Sequence, residues 1–303
     1  MISLVNLYKN IIIEGGNVFK DTEYDTEPIQ LANIKPTIDK FIGDLSRVFP
    51  NKKSNIKTLA DKSNWLGSTG LKPQSGDIDI AFPVENFFID GKADTRGWGV
   101  NQDEYNILYE KVKKAARTAT DKQIMLKVLI RLIVPQINNA GIDLHASDKA
   151  SGAGALHLSS PQYDINGNKL DSRIQLDIDI GDLAWLKFRN NSELPEDDPN
   201  IKGLHRGQLM LAMFATIGYT FKAGMGFIRK SNREILADSP EGAVEVFNNE
   251  YQPKSPLTVD ILNNYNKLME YVKTSLKPED REGTLKYFTD ALRRADAYVP
   301  DNV

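Results

Sequence analysis

The stretch that decides the reading is Leu66-Gly67-Ser68-Thr69-Gly70-Leu71-Lys72-Pro73-Gln74-Ser75-Gly76-Asp77-Ile78-Asp79-Ile80-Ala81-Phe82. From Asp77 to Ile80 it alternates acidic and apolar residues. Side chains alternate across a strand, so Asp77 and Asp79 share one face while Ile78 and Ile80 enter a core. Strand rise sets two such carboxylates about 7 Å apart along the chain. They repel unless a cation sits between them. Mg²⁺ takes carboxylate, water and phosphate oxygens, so the pair suits a divalent-metal platform. A solvated strand face with two acids is the plainer alternative. Ahead of the acids, Gly67 lets a backbone approach phosphate with no side chain between. Ser68 offers a hydroxyl, and the amides after it can point at an anion if a helix begins there. An ordinary turn would use the same two residues.

Working outward, a second strand repeats the pattern: Ile174-Gln175-Leu176-Asp177-Ile178-Asp179-Ile180. Its apolar face is Ile174, Leu176, Ile178 and Ile180, and its polar face Gln175, Asp177 and Asp179. Were it to neighbour the first strand, one of its carboxylates could join the first pair. Just before it, Asn166-Gly167 predicts a two-residue hairpin turn, whose two central positions need positive φ. Apolar residues at steps of three and four predict a helix from Ile34 to Phe49, with Pro36 in its first turn and Pro50 closing it. Two more helices are expected within residues 102–139, the second kinked or ended by Pro135. The opening, residues 8–19, is β-rich around Ile11, Ile12 and Ile13 and meets Gly15-Gly16, which suit a turn.

The acidic, proline-bearing run over 190–200 reads as a domain boundary. Beyond it three apolar stripes predict helices: Met210, Met213, Phe214 and Ile217; residues 261–276; and Leu285, Phe288 and Leu292. The expected architecture is α+β: a domain over residues 1–190, with a small mixed or antiparallel sheet and helices, then a mainly helical C-terminal domain over 191–303.

Composition narrows the function. The 303 residues carry a net charge of −3, so bulk charge does not hold this chain to nucleic acid, and any such contact is local or transient. There are no cysteines, which excludes disulfides, thiolate catalysis and Cys-ligated zinc and fits a reducing compartment. No apolar run approaches the roughly 18 residues of a membrane span. Residues 1–13 lack a basic leader and a small-residue cleavage site, so they do not read as a signal peptide.

Other residues have a functional and a plainer reading each. Lys202 and Arg206, one helical turn apart, could hold an anionic group, or could simply be a solvated helix start. Lys72 could touch phosphate or stand in solvent. The basic run Lys111, Lys113, Lys114 and Arg117, with Lys122, Lys127 and Arg131, could track a nucleic-acid backbone. It does not share one helical face, which favours a solvated surface. His145, His157 and His205 read as ordinary hydrogen-bonded histidines, and Trp65, Trp98 and Trp185 as core residues more than base-stacking platforms.

The Gly67-Ser68 turn, the Asp77-Ile78-Asp79 strand and the later apolar-Asp-apolar strand resemble the polymerase-β-like nucleotidyltransferase superfamily. Glu14-Gly15-Gly16-Asn17-Val18-Phe19 and Leu66-Gly67-Ser68-Thr69-Gly70 look like phage-encoded members. The resemblance is specific over roughly residues 55–190 and loose beyond. It implies that two metal ions, Mg²⁺ or Mn²⁺, clamp a nucleoside triphosphate such as ATP. Asp77 and Asp79 would hold both ions. Asp177 or Asp179 would be the third acid; Asp177 is preferred, nearer the strand's middle. Gly67, Ser68, Lys202 and Arg206 would bind the nucleotide. The implied reaction moves a nucleoside monophosphate to a hydroxyl and releases pyrophosphate. Candidate acceptors are an RNA 3′ end, a second nucleotide, a small molecule or a protein side chain. A non-catalytic nucleotide- or RNA-binding module on the same fold is the rival, which three gathered carboxylates count against. A cytoplasmic setting, the host's if phage-encoded, is expected, with no membrane partner.

Overall fold

The computed structural model describes residues 17–303, leaving out 117–118, 153, 191–194, 196–197, 199, 223–225 and 302. Ile11, Ile12, Ile13, Gly15 and Gly16, Arg117 of the basic run and most of the acidic boundary lie outside the described residues. The chain divides into two compact units, Met1–Leu183 and Ala184–Val303. The division falls at the start of a helix, Leu183–Asn190, instead of in the acidic run that follows it.

In chain order the first unit holds α1 (Leu31–Val48), β1 (Ile78–Pro83), α2 (Gln102–Ala115), α3 (Asp121–Asn138), β2 (His145–Ala146), β3 (Ala155–Tyr163) and β4 (Lys169–Gly181). Two short strand pairs, Ile29–Gln30 with Gln74–Ser75 and Phe88–Ile89 with Lys92–Ala93, lie outside the main sheet. α1 forms because Ile34, Ile38, Phe41, Ile42 and Leu45 build one apolar stripe, all buried. It starts at Leu31, so Pro36 stands inside the helix and not in its first turn. α3 opens on a capping box made by Thr120 and Gln123 and runs past Pro135 to Asn138.

The sheet order is β1-β4-β3-β2. β1 runs parallel to β4, and the other two pairs are antiparallel. The sheet is therefore mixed and the unit α+β. β3 and β4 are joined by a five-residue loop, 164–168, and not by a two-residue turn. Gly167 alone takes positive φ there (80°), while the Asp164 carboxylate accepts the N–H groups of Asn166 and Asn168.

One apolar face of the sheet builds the core. Ile78, Ile80 and Phe82 of β1 and Ile174, Leu176, Ile178 and Ile180 of β4 are buried with α1 and α3 residues. Each such side chain contributes about 1.5–3 kcal/mol. A slip of β4 by one residue would turn Asp177 and Asp179 into that core, so burial locks the register. In that register Asp79 lies directly across from Asp177.

The second unit adds α4 (Leu183–Asn190, its first residue belonging to the first unit), α5 (Gly203–Thr216), β5 (Tyr219–Lys222), β6 (Gly226–Arg229), β7 (Ile235–Ala237), α6 (Pro240–Tyr251), α7 (Val259–Asn263), α8 (Tyr265–Ser275) and α9 (Pro278–Arg294). Among the described residues its strands form an antiparallel sheet ordered β7-β6-β5, which the expectation of a mainly helical domain does not contain. The 261–276 stripe is two helices. Asn264 divides them and caps the second by accepting the Lys267 N–H at 3.0 Å. Among the described residues no helix is long and apolar enough to cross a membrane.

Candidate metal centre

Three carboxylates converge at the polar side of β1 and β4. One oxygen each from Asp77, Asp79 and Asp177 lies within 4.8 Å of the others, a group able to hold a metal ion. Asp77 stands just before β1, Asp79 is its second residue, and Asp177 faces Asp79 across the parallel pair. Asp179 lies two residues further, opposite Ala81 of β1 and Ala155 of β3, and is outside the group. The strand pattern thus brings Asp77, Asp79 and Asp177 together and leaves Asp179 as a buried neighbouring charge.

The electrostatics follow from that crowding. Burial, then the charges of Asp177 and Asp179, push the Asp77 carboxyl up from its usual 3.8 to about 6. At this spacing two ionised carboxylates repel by about 3 kcal/mol at an effective dielectric of ~20. The group gathers three acids in one place, and every donor is a hard carboxylate oxygen. That donor set fits a divalent cation such as Mg²⁺ or Mn²⁺.

The Gly-Ser turn is fastened to the first acidic strand. The Leu66 N–H donates to the Asp79 carbonyl at 2.9 Å, and the Asp79 N–H donates to Thr69 Oγ1 at 2.9 Å. Gly67 has φ of 58°, and a Cβ there would stand 3.2 Å from Asp79 Oδ2. A side chain at 67 would be strained at this φ and would crowd the carboxylate, so both conformation and space favour glycine. No helix follows Ser68. The amides of Thr69 and Leu71 close successive turns onto the carbonyls of Leu66 and Ser68. The condition for a helix-start cradle is therefore not met, and Ser68 offers its hydroxyl within this turn.

The third acid has two partners of its own. His157 faces Asp177 across β3 and β4, with Nδ1 2.7 Å from Oδ1. Gln175 Nε2 donates to Asp177 Oδ2 at 2.9 Å. Reading the sequence placed His157 among ordinary histidines. Its contact with a site carboxylate arises from cross-strand register, for which a His two strand positions from a turn carries no local signal.

Lys202 and Arg206 lie in the second unit. Lys202 is exposed beside the N-terminus of α5. Arg206, expected at a phosphate, is fully buried instead. Its Nε donates to the Leu262 carbonyl (2.8 Å), Nη1 to the Arg189 carbonyl (3.0 Å), and Nη2 to the Phe188 carbonyl and Asn263 Oδ1. Four of five N–H donors thus tie together the ends of α4 and α7. Burial alone lowers its pKa to about 10. Arg206 is a structural clamp.

The remaining candidates are placed more plainly. Lys72, Lys111, Lys114, Lys127 and Arg131 are exposed, while Lys113 and Lys122 pair with Asp121 and Glu85. His145 stacks on Tyr24 at 3.7 Å between centroids. His205 accepts the Lys202 N–H at Nδ1 and meets the Tyr298 carbonyl at Nε2. Among the described residues no histidine joins the metal-competent group. Trp98 stacks on Phe87 in the first core, Trp185 packs with Phe188 and Phe221 in the second, and the Trp65 ring covers Gly70.

Comparison with known proteins adds no relative: no family model, no curated protein and no solved structure matches this chain.

Proposed function

We propose that this protein is a metal-dependent nucleotidyltransferase. One observation carries the reading: Asp77, Asp79 and Asp177, from two adjacent parallel strands, bring carboxylate oxygens within 4.8 Å beside a glycine turn fastened to the same strand. A solvated strand face has no cause to gather three acids against their mutual repulsion. Asp77 and Asp79 would hold two divalent ions, Mg²⁺ or Mn²⁺, and Asp177 would share one of them. Bound there, the ions supply charge stabilisation to the attacking and leaving oxygens of an in-line displacement at phosphorus.

The chain's own groups do the rest. Gly67 keeps the space beside Asp79 clear for a phosphate. Ser68 donates its hydroxyl to a triphosphate oxygen. Asp177, aligned with Asp79, accepts the proton of the acceptor hydroxyl as that oxygen attacks the α-phosphorus. The new bond joins acceptor oxygen to α-phosphorus, the bond to the β-phosphate bridge breaks, and pyrophosphate leaves.

The test is incubation with each α-labelled nucleoside triphosphate, Mg²⁺ or Mn²⁺, and total RNA. The reading requires pyrophosphate release and label transfer that cease with Asp79→Asn. RNA end labelling would identify the acceptor as a 3′ hydroxyl. Full turnover by Asp79→Asn would refute the assignment.

A further inference from the structure

Asp177 sits in a hydrogen-bond chain whose direction can be worked out. The Val18 N–H donates to Gln175 Oε1 at 2.9 Å. A main-chain N–H can only donate, so the Gln175 amide must turn its oxygen to Val18 and its NH₂ to Asp177. Asp177 Oδ2 therefore accepts, at 2.9 Å. At the other oxygen, His157 Nδ1 stands 2.7 Å from Oδ1. An ionised carboxylate only accepts, which places the imidazole proton on Nδ1. Each oxygen of Asp177 thus receives one donor, and a carboxylate offers about four lone-pair sites, so each keeps one for a cation.

These partners are well fixed. Gln175 is 2% and Asp177 7% exposed. The His157 N–H donates to Ser151 Oγ at 3.1 Å, and its carbonyl accepts from the Ser147 N–H at 3.0 Å. Imidazole and amide therefore approach the carboxylate from supports built into β3, β4 and the segment carrying Val18.

We infer that His157 and Gln175 are positioning residues, which hold the Asp177 carboxylate through His157 Nδ1 and Gln175 Nε2 in the orientation that lets it share a divalent cation with Asp77 and Asp79. This deepens the metal-dependent reading and rests on it. Partners of this kind orient metal-ligating groups, and their loss typically costs about 10–100-fold in metal affinity.

The experiment measures Mn²⁺ affinity of the metal-free full-length chain by the electron paramagnetic resonance of free Mn²⁺, with the melting temperature of each variant recorded beside it. His157→Ala should weaken binding about 10–100-fold. His157→Asn, whose Nδ2 occupies the place of imidazole Nδ1, should restore it to within about threefold of wild type. His157→Gln, whose amide lies one carbon further out, should not. Gln175→Met, which keeps the volume and removes the donor, should weaken binding about tenfold. If His157→Ala does not fold, the Asn and Gln variants carry the comparison at matched melting temperatures. Equal affinities for these two, or Gln binding more tightly than Asn, would overturn the role of Nδ1. Wild-type chain that binds no Mn²⁺ would remove the metal-dependent reading and this inference with it. Wild-type binding that none of the variants changes would overturn this inference alone.

Discussion

Replacing Asp77 by Asn should make the metal-free protein more stable while removing its metal binding. The carboxyl is pushed from 3.8 to about 6, first by burial and then by Asp177 and Asp179. A raised folded-state pKa means the folded chain holds this proton more tightly than the unfolded chain. Stability is therefore lost as pH rises from about 4 through about 6, and the loss is complete above that. The shift of roughly two units corresponds to about 3 kcal/mol at about 1.36 kcal/mol per unit. The carboxylate is partly open to water, whose screening trims this to about 2 kcal/mol. For the unit that carries Asp77, residues 1–183, that is a gain of about 4–8 °C in its melting temperature. The assay is thermal unfolding of wild type and Asp77→Asn in EDTA at pH about 8 and about 4, then with Mn²⁺ at the higher pH. The variant should melt higher at pH about 8, the gap should close at about 4, and Mn²⁺ should raise wild type alone. A variant less stable than wild type in EDTA at pH about 8 would refute the picture of an Asp77 carboxylate crowded by burial and by its acidic neighbours.

Three further outcomes are expected. Asp177→Asn should abolish label transfer, whereas Asp179→Asn, outside the metal-competent group, should retain measurable turnover; the reverse order would move the third acid to 179. Ser68→Ala should lose one hydrogen bond to a charged oxygen, roughly 1.5–3 kcal/mol. That is about a 10- to 150-fold fall in kcat/KM, equal for two different triphosphates; a base-dependent effect would place Ser68 away from phosphate. Arg206→Met strands the carbonyls of Phe188, Arg189 and Leu262 and should lower the melting temperature sharply while Mn²⁺ affinity stays as in wild type, and a folded variant with impaired metal binding would reopen a site role for Arg206.

The acidic centre was legible because strand alternation is a strong local signal. The acid-apolar repeats at 77–80 and 174–180 each placed their carboxylates on one face, and burial of the intervening Ile and Leu residues locks the register that aligns Asp79 with Asp177. The same alternation could not choose between Asp177 and Asp179, since both satisfy it; the preference for Asp177 rested on its place near the strand's middle, and the register with β1 sets it across from Asp79. His157 was read as ordinary for a related reason. It stands twenty residues from Asp177, and only the antiparallel register of β3 with β4 brings them together.

The remaining differences have local causes. Charge predicted an exposed Arg206, yet the carbonyls at two helix ends draw it inside, which no period in the sequence encodes. The sheet of the second unit rests on strands of four residues or fewer, Tyr219–Lys222, Gly226–Arg229 and Ile235–Ala237, too short for alternation to stand out between strong helical stripes. The loop at 164–168 kept its Gly167 turn but gained length because Asp164 closes it with side-chain bonds that substitute for a tight hairpin.

The proposed chemistry needs a divalent ion held among three carboxylates with a triphosphate beside them. Crystals grown with Mn²⁺ and a non-hydrolysable triphosphate analogue, measured at the manganese absorption edge, test it most directly. Anomalous density is expected between the oxygens of Asp77, Asp79 and Asp177, with the triphosphate against Gly67 and Ser68. Manganese bound elsewhere, or a triphosphate seated away from this turn, would contradict it.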